Sequence, residues 1–360
     1  MNCCEYLPRV NVLSIIVDFD ESLHDLKGVA LQSKNHLLIS SKKKHTDVVL
    51  PIYLPHNNLK IKSVNKTKDC LTISISLENP RIENERTESF VSSNIQKWSC
   101  KDLKNKTPKD GDMANLFTFN CISCGQGIID SRNYKFLDMP SEYWHELMDF
   151  WHCHKPHSDE QVEKDYNGKL QANNNDVIMG SYYLQLNEKF TPQSINTHDG
   201  VTCTQCHTSL GDLNGSNVRL FKWNLSLAYG TRKETFPKWL YIYSVILDKI
   251  NISASRKFKI YNGSEGIFLW IIGIGMDVSY SDHITKNSLK ILYCPAISTG
   301  IEELENVEYI ETFPDVLKSF NNKIDKVNSL LPSSSKQVSF EEGGEVRNYK
   351  VAYIGTSEAS

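Results

Sequence analysis

The sequence carries no excess of charge of either sign. Its 360 residues include 40 Lys and Arg against 43 Asp and Glu, a formal net charge of −3. Without a basic surplus there is no general electrostatic signal for nucleic acid or an anionic membrane, so we expect direct binding to neither. Hydrophobic residues make up 40% and charged residues 23% of the chain. These values are close to globular averages and argue against a mainly disordered, coiled-coil or collagen-like chain.

The sequence also lacks a hydrophobic run long enough to span a bilayer. The most apolar run, residues 266–278, contains three glycines and is shorter than the roughly 20 residues that a spanning helix needs. We interpret it as a buried strand or strand pair. No basic segment followed by an apolar one opens the chain, so we expect a protein of the nucleus and cytoplasm. Its ten cysteines should then be reduced, which favours metal binding or thiolate chemistry over disulfides.

Common catalytic motifs are missing as well. There is no P-loop, no glycine fingerprint for dinucleotides and no His-Glu-x-x-His motif. Aromatic residues such as Tyr182, Tyr183 and Trp239 are not interleaved with basic residues as in RNA-binding modules. We therefore assign these aromatic side chains to the core.

The apolar pattern predicts an α+β protein that is mostly β. Segments between residues 8 and 78 are rich in Val, Ile and Leu, and residues 71–77 alternate strictly, as in a sheet with one buried face. Further strands are predicted at 177–186 and 218–227. The C-terminal third mixes strands with two helices, at 238–250 and 315–331.

Two Cys-x-x-Cys pairs give the clearest chemical signal, Cys121 with Cys124 and Cys203 with Cys206. Structural Zn²⁺ is held by four tetrahedral ligands, with sulfur at about 2.3 Å. The spacing lets one turn present two sulfurs to one ion, and Gly125 permits the left-handed backbone that such a turn needs. We predict one structural zinc site made by all four cysteines. Because the pairs lie far apart in sequence, metal binding would also contribute folding free energy.

Two alternatives to zinc remain open for these cysteines. One is a redox-active pair of the thioredoxin type, although neither pair opens an evident strand–helix unit. The other is a set of unrelated buried cysteines. His207, next to Cys206, could replace a ligand, but two complete pairs make it unnecessary.

These signals divide the chain into three predicted regions. Residues 1–115 form a β-rich region that ends in a polar segment, 79–115, which Trp98 and Leu103 anchor in part. Residues 116–230 form the zinc-binding region, and residues 231–360 form a mixed α/β region. The expected architecture is thus a β-rich N-terminal half, a zinc-clamped middle and a mixed C-terminal part.

A helix is predicted at 140–151, inside the zinc-binding region. Pro140 suits a first helical turn, and Trp144, Leu147, Met148 and Trp151 follow the spacing of one apolar face.

The helix leads directly into a cluster of histidine and cysteine. The order is Trp151, His152, Cys153, His154 and, after one lysine, Pro156. Proline disfavours helix at the residue before it, and neighbouring cationic side chains would lower the pKa of the thiol. Three interpretations compete: an ordinary packed helix end, a catalytic thiol that carries a thioester, and a metal ligand offered to a partner.

The stretch from Asp138 to Pro156, set between the two cysteine pairs, resembles the HECT-type ubiquitin-protein ligase E3-D family. It reads Asp-Met-Pro-Ser-Glu-Tyr-Trp-His-Glu-Leu-Met-Asp-Phe-Trp-His-Cys-His-Lys-Pro. Leu210-Gly211 and the motif Leu-Phe-Lys-Trp-Asn-Leu at 220–225 also fit. The similarity extends over most of the chain, with the recognisable motifs at 116–227.

The resemblance implies two activities. By name, members accept ubiquitin from a conjugating enzyme and pass it to substrates. Fungal members are described as important for pre-mRNA cleavage and polyadenylation. They are linked to the 3′-end processing endonuclease, a two-zinc metallo-β-lactamase-type nuclease whose active site the Trp-His-Cys-His segment enters. On this chain the resemblance makes Cys153 the metal-binding residue and Trp151, His152, His154 and Pro156 its partner-site neighbours.

The resemblance gives less support to a catalytic cysteine. HECT enzymes carry a nucleophilic cysteine in a C-terminal lobe, and here the one C-terminal cysteine is Cys294, in an apolar strand context that is typical of a core residue. Cys294 and Cys153 are therefore weak candidates, and enzymatic activity stays open.

From the sequence we expect an accessory factor of 3′-end processing that binds, inhibits or chaperones the endonuclease through Cys153. The alternatives are a genuine ubiquitin ligase with a thioester cysteine and a zinc-stabilised scaffold.

Overall fold

In a computed structural model, the structure describes residues 1–18, 26–42, 45–54, 59–66, 70–77, 96–107, 115–139, 172, 174–296, 306–342, 345–355 and 357–359. Residues 1–94 contain the strands β1 Asn2–Leu7, β2 Val12–Asp18, β3 Leu26–Ser33, β4 His36–Ser41, β5 His45–Val49, β6 Leu59–Lys66 and β7 Cys70–Leu77. Residues 95–253 contain α1 Cys100–Lys106, β8 Thr118–Cys121, β9 Gly127–Asp130, β10 Lys135–Asp138, β11 Asp176–Met179, β12 Tyr183–Asn187, β13 Ile195–Asn196, β14 Val201–Cys203, β15 Ser209–Asn214, β16 Asn217–Phe221, β17 Leu225–Tyr229, β18 Arg232–Thr235 and α2 Leu240–Ser253. Residues 254–360 contain β19 Lys257–Asn262, β20 Glu265–Tyr280, β21 His283–Pro295, β22 Val307–Glu311, α3 Pro314–Ser329, β23 Gln337–Glu342, β24 Glu345–Ile354 and β25 Ser357–Ala359.

The chain divides into two compact units. The first consists of residues 1–94 and 254–360, and the second of residues 95–253. The first unit is therefore built from both ends of the sequence, and the second is inserted between them.

The first unit contains a sheet that joins the two ends of the chain. Its main path runs β23-β24-β21-β20-β1-β2-β7-β6. Strand β1 bonds antiparallel to β2 on one side and to β20 on the other, where Cys3 lies opposite Tyr280. The most apolar run of the sequence, residues 266–278, lies in β20. Strand β20 forms a long antiparallel pair with β21.

A second sheet of strands β3, β4 and β5 shares a core with strands of the large sheet. Residues in β7 alternate between buried and half-buried, and Leu71, Ile73 and Ile75 are fully buried. Aliphatic side chains of β4 and β5, including Ile39 and Val48, belong to the same buried cluster. The alternation in the sequence thus predicts correctly which side chains face the core.

Helix α3 confirms the predicted helix at 315–331. It begins with Pro314 at its first position, where the missing N–H of proline is harmless. The predicted apolar stripe is buried throughout, namely Val316, Phe320, Ile324, Val327 and Leu331.

The second unit contains two sheets. One has the order β10-β11-β12-β16-β15-β14-β13, and the other the order β18-β17-β8-β9. Leu103 in α1 and Trp98 just before the helix are both buried. This confirms that they anchor this part of the polar segment. In the part of the chain that the structure describes, no helix is both long and apolar enough to cross a membrane.

The mostly β, α+β fold class is confirmed, but two predicted strands are wrong in their extent. The strand at 177–186 is two strands, β11 and β12, because the chain turns at 180–182 and the Gly180 N–H donates to the Tyr183 carbonyl at 3.0 Å. The strand at 218–227 is interrupted by a 3₁₀ turn, Lys222–Asn224. A continuous apolar run cannot reveal such breaks, because every segment of it is buried. The predicted helix at 140–151 lies outside the described residues.

Candidate metal centre

Two turns with the same backbone geometry carry the four cysteines. The first knuckle, residues 121–126, joins β8 to β9, and the second knuckle, residues 203–208, joins β14 to β15. In the first, the Cys121 N–H donates to the Gln126 carbonyl at 2.8 Å and the Gly125 N–H donates to the Cys121 carbonyl at 3.0 Å. In the second, the corresponding bonds are 2.9 Å, from Cys203 to Thr208, and 2.8 Å, from His207 to Cys203. Each hairpin thus presents its two thiols in the same way.

The residue after the second cysteine of each knuckle has a left-handed backbone. Gly125 has φ of 78° and His207 has φ of 57°. Glycine adopts this conformation freely, whereas in other residues it costs about 1–2 kcal/mol. The sequence predicts the role of Gly125 but not that His207 occupies the same backbone position in the second knuckle.

The four sulfur atoms lie close enough to share one ion. The Sγ atoms of Cys121 and Cys206 are 3.6 Å apart, those of Cys124 and Cys203 are 3.7 Å apart, and all four lie within 4.8 Å of one another. Four sulfurs at about 2.3 Å from one zinc ion would be about 3.8 Å apart in a regular tetrahedron. The donor set and its spacing therefore fit a tetrahedral thiolate centre.

Two of the close sulfur contacts join different knuckles, Cys121 to Cys206 and Cys124 to Cys203. A thioredoxin-type site needs only the two sulfurs of one Cys-x-x-Cys motif, whereas here the sulfurs of both motifs come together. Among the described residues, the four cysteines form a group whose ligand atoms could hold one metal ion, and His207 does not belong to it. The geometry therefore favours a shared metal over the redox alternative.

The thiols differ in how readily they ionise. The hydroxyl of Thr208, 3.3 Å from the sulfur of Cys206, and the Thr208 backbone N–H lower the pKa of Cys206 to about 6. Burial raises the pKa of Cys121. Four thiolates at these distances would repel one another strongly, and a divalent cation removes that repulsion because it supplies the largest local charge.

A buried lysine supports the segments around the centre, and sequence reasoning missed it. Lys222 is fully buried. Its ammonium group donates to the carbonyls of Lys97 at 3.1 Å and Ser181 at 3.4 Å and lies 5.7 Å from the centre of the Phe236 ring. The sequence did contain a signal for this buried lysine, because Lys222 stands between Phe221 and Trp223. A lysine among large apolar residues must either leave the core or find partners within it.

A second polar cluster joins α1 to strand β18. Glu234 accepts hydrogen bonds from Lys106 at 2.8 Å, from the Trp98 indole at 3.3 Å and from the Tyr229 hydroxyl. Burial opposes ionisation of Glu234, but the bonds from Lys106 and Tyr229 outweigh it and lower the pKa of this carboxyl.

The segment that carries the Trp-His-Cys-His cluster begins and ends on this unit. Strand β10 precedes it and pairs in parallel with β11, which follows it, so that Asp138 lies opposite Met179. The Asp138 carboxylate also accepts the Cys100 backbone N–H at 2.7 Å. The partner-site residues Trp151, His152, Cys153, His154 and Pro156 themselves lie outside the described residues.

The other candidate thiol, Cys294, lies in the first unit. It sits in β21 opposite Phe268 and is 9% exposed. The structure therefore places Cys294 in a different unit from the four clustered cysteines.

Comparison with known proteins gives one family and a small set of relatives. A family model described as HECT-like ubiquitin-conjugating enzyme (E2)-binding matches residues 5–342. An uncharacterized protein of Saccharomyces cerevisiae is 28% identical over 354 residues, which cover 93% of this chain and 95% of that protein. The human E3 ubiquitin-protein ligase E3-D is 23% identical over 68% of this chain and 62% of its own length. The mouse ligase of the same name is 24% identical over 52% of this chain and 57% of its own length. No solved structure matches the chain.

Proposed function

The chain belongs to the HECT-like family described as binding ubiquitin-conjugating enzymes, as its sequence resemblance indicated, and we propose that it acts by binding such an enzyme (E2). The observation that carries this proposal is the match of the family over residues 5–342. Because the matched region covers both units, E2 binding is a proposal about the whole chain and not about one hairpin.

The clustered cysteines support zinc as the resident metal. Zn²⁺ favours four thiolates in a tetrahedron, and their sulfurs already have the matching separations. Zinc would join β8, β9, β14 and β15, and so connect both sheets of the second unit. Its role in the proposal is structural, since four protein ligands leave no open position for catalysis.

The finer function that we propose is in pre-mRNA 3′-end processing, in the nucleus and cytoplasm. The segment with Cys153 would enter the active site of the cleavage endonuclease, a metallo-β-lactamase-type enzyme. A thiolate on that enzyme's zinc pair would replace the metal-bound water that attacks phosphate. The attachment of the segment at β10 and β11 supports this use, because paired strands fix both of its ends.

The E2 proposal is tested by calorimetric titration of the metal-loaded full chain with a panel of E2 enzymes, free and charged with ubiquitin. We expect saturable binding to at least one E2. A folded, zinc-loaded chain that binds none of the panel would contradict the proposal.

The endonuclease proposal is tested with Cys153→Ala and the matched variant Cys100→Ala. Cys100 belongs to the same unit, and its backbone N–H donates to Asp138, a bond that alanine at this position retains. Cys153→Ala should release the inhibition of RNA cleavage, and Cys100→Ala should inhibit as the parent does. Equal inhibition by both variants would refute the thiolate-to-metal mechanism.

A thioester ligase remains the second candidate function, favoured by the name of the human and mouse relatives. The acceptor thiol must meet the ubiquitin C-terminus, and Cys294 is buried, so this function would require β21 to open locally. A reducible ubiquitin adduct that disappears in Cys294→Ser or Cys153→Ser would support it. Ligase activity that persists in the double variant would exclude both residues as obligatory acceptors.

A further inference from the structure

The motif at 220–225, Leu-Phe-Lys-Trp-Asn-Leu, runs from one sheet of the second unit into the other. Leu220 lies in β16, which pairs with β15, the strand that follows the second knuckle. Leu225 begins β17 and lies opposite Cys121, where β8 enters the first knuckle. Between these strands, residues 222–224 form a 3₁₀ turn, which we call the linking turn. The motif therefore connects the hairpins of both knuckles.

The end of the linking turn is bonded to the first knuckle. The Asn224 carbonyl accepts the N–H of Ile122, the residue that directly follows Cys121, at 3.1 Å. The next residue, Leu225, continues the contact as the strand partner of Cys121. The backbone of the linking turn is thus fixed beside a predicted metal ligand.

The start of the linking turn is bonded to the turn at 180–182, which follows β11. The Lys222 N–H donates to the Tyr182 carbonyl at 2.9 Å, and the Lys222 ammonium group donates to the Ser181 carbonyl at 3.4 Å. The rings of Trp223 and Tyr182 lie 6.2 Å apart and within 20° of parallel. A buried ammonium group is tolerated only with hydrogen-bond partners, so Lys222 restrains the backbone that supplies them.

The same turn holds the end of β10. We call residues 138–139 the segment root, because the proposed endonuclease-binding segment leaves β10 there. The Met139 N–H donates to the Met179 carbonyl at 3.0 Å, and the Tyr183 hydroxyl donates to the Met139 sulfur at 3.4 Å. Met179 and Tyr183 directly flank the turn at 180–182. The segment root therefore takes its position from the turn that the buried lysine restrains.

The start of α1 restrains the segment root as well. The Asp138 carboxylate accepts the Cys100 N–H, in the first turn of α1, at 2.7 Å. The Lys222 ammonium group donates to the Lys97 carbonyl, just before this helix, at 3.1 Å. One buried side chain is thus bonded to both backbone segments that hold the segment root, while its own turn is bonded to the first knuckle.

From this arrangement we infer that Lys222 is a positioning residue for binding of the endonuclease. The linking turn holds the segment root at a fixed place relative to the first knuckle, so that the segment with Cys153 starts from a fixed point. A start that is already ordered reduces the conformational entropy lost on binding. The inference rests on the proposed function, which supplies the endonuclease and the role of Cys153.

The test measures binding of the zinc-loaded full chain to the endonuclease for Lys222→Met, alone and combined with Cys153→Ala. Methionine keeps the apolar body of the side chain and removes the ammonium group. We expect Lys222→Met to weaken binding by about tenfold when Cys153 is present and by less than about twofold in the Cys153→Ala background, because residues that act through one contact are not additive. Zinc content should not change.

A second variant loosens the segment root without a change in the core. Asp138 is exposed, and Asp138→Ala removes the acceptor of the Cys100 N–H. It should reproduce the pattern of Lys222→Met, with weaker binding only when Cys153 is present. This variant keeps the test decisive if Lys222→Met does not fold.

The matched control for loss of stability is Val218→Ala. Val218 is fully buried on β16, before the linking turn. The variant should lower the melting temperature and change Kd by less than about twofold, since interaction energies arise between residues in contact or in one network. Equal weakening of binding by Val218→Ala and Lys222→Met would show that binding follows stability, and the positioning role would be wrong.

The outcomes separate this inference from the proposed function. If Cys153→Ala binds the endonuclease as tightly as the parent does, both fail. If Cys153→Ala weakens binding but Lys222→Met does not, or does so equally in both backgrounds, the positioning role alone is wrong. As a readout without the endonuclease, hydrogen exchange at the Met139 and Gly180 amides should be faster in Lys222→Met than in the parent, with the Cys203 amide unchanged. Unchanged exchange at Met139 would also overturn the inference.

Discussion

In the first unit, aliphatic side chains of two sheets fill one continuous core, whereas in the second unit sulfur atoms and buried polar groups join separate segments. The first unit also has polar contacts. The ion pair of Glu5 with Lys290 at 2.6 Å lies within one sheet, and the Ser279 hydroxyl joins the two sheets by donating to the Val49 carbonyl at 2.6 Å, but these accompany a shared aliphatic core. In the second unit, the cysteine cluster joins two sheets, and Glu234 joins α1 to β18.

This difference has a thermodynamic consequence. Burial of aliphatic area needs no ligand, because it stabilises by removing apolar surface from water. A thiolate centre contributes its free energy only when the metal is bound. The first unit should therefore be stable without metal, and the second should depend on it.

The largest expected effect comes from breaking the centre itself. Cys203→Ser should abolish stoichiometric zinc binding and destabilise the second unit by several kcal/mol, since apparent zinc-binding free energies reach about 10–16 kcal/mol. Elemental analysis and thermal melting would measure both. Cys100→Ser is the control and should keep one zinc per chain. A full zinc content in Cys203→Ser would contradict the four-cysteine centre.

A core substitution in the first unit should lower the stability of the protein without affecting its metal. Ile73→Ala removes a fully buried side chain of β7 and should lower the free energy of unfolding by about 2–5 kcal/mol. Zinc content should not change. Urea denaturation paired with metal analysis tests this, and loss of zinc in the folded variant would show that the two units are not independent.

The polar cluster at Glu234 should make the second unit sensitive to acid. A carboxyl whose pKa is lowered in the folded state contributes stability that is present above its unfolded pKa, about 4.3, and is lost as pH falls through the lower, folded value. Glu234→Gln should cost about 1–3 kcal/mol at neutral pH. The difference from the parent should shrink below about pH 4, which urea melts across pH would reveal. A constant difference at all pH values would argue against a charge-dependent role.

The smallest effects concern the left-handed position in each knuckle. Gly125→Ala should destabilise the second unit by about 1 kcal/mol, and His207→Gly should relieve a similar strain. Because nothing lies within 4 Å of a Cβ placed at Gly125, backbone strain alone should act there. Thermal melts of the two zinc-loaded variants should therefore shift in opposite directions. A shift of the same sign in both would mean that the knuckles are not equivalent.

The contrast between the units also explains what the sequence could predict. Each knuckle is local, because its two cysteines lie in one turn, and in the first knuckle Gly125 directly follows them. The sequence could therefore predict both turns, and the preference of zinc for four ligands assigned both pairs to one site. The pairing of β1 with β20 could not be assigned, because many alternating strands satisfy the same pattern and register depends on contacts distant in sequence. The partners of Lys222 were unpredictable for the same reason, since they are carbonyls contributed by two remote turns.

The most direct test of the account is hydrogen exchange of the zinc-loaded chain before and after metal removal by a chelator. The account predicts that amides of β8, β9, β14 and β15 lose protection on metal removal, while those of β1, β2, β7 and β20 keep it. Equal loss of protection in both units, or no loss around the four cysteines, would contradict the claim that the metal stabilises the second unit and not the first.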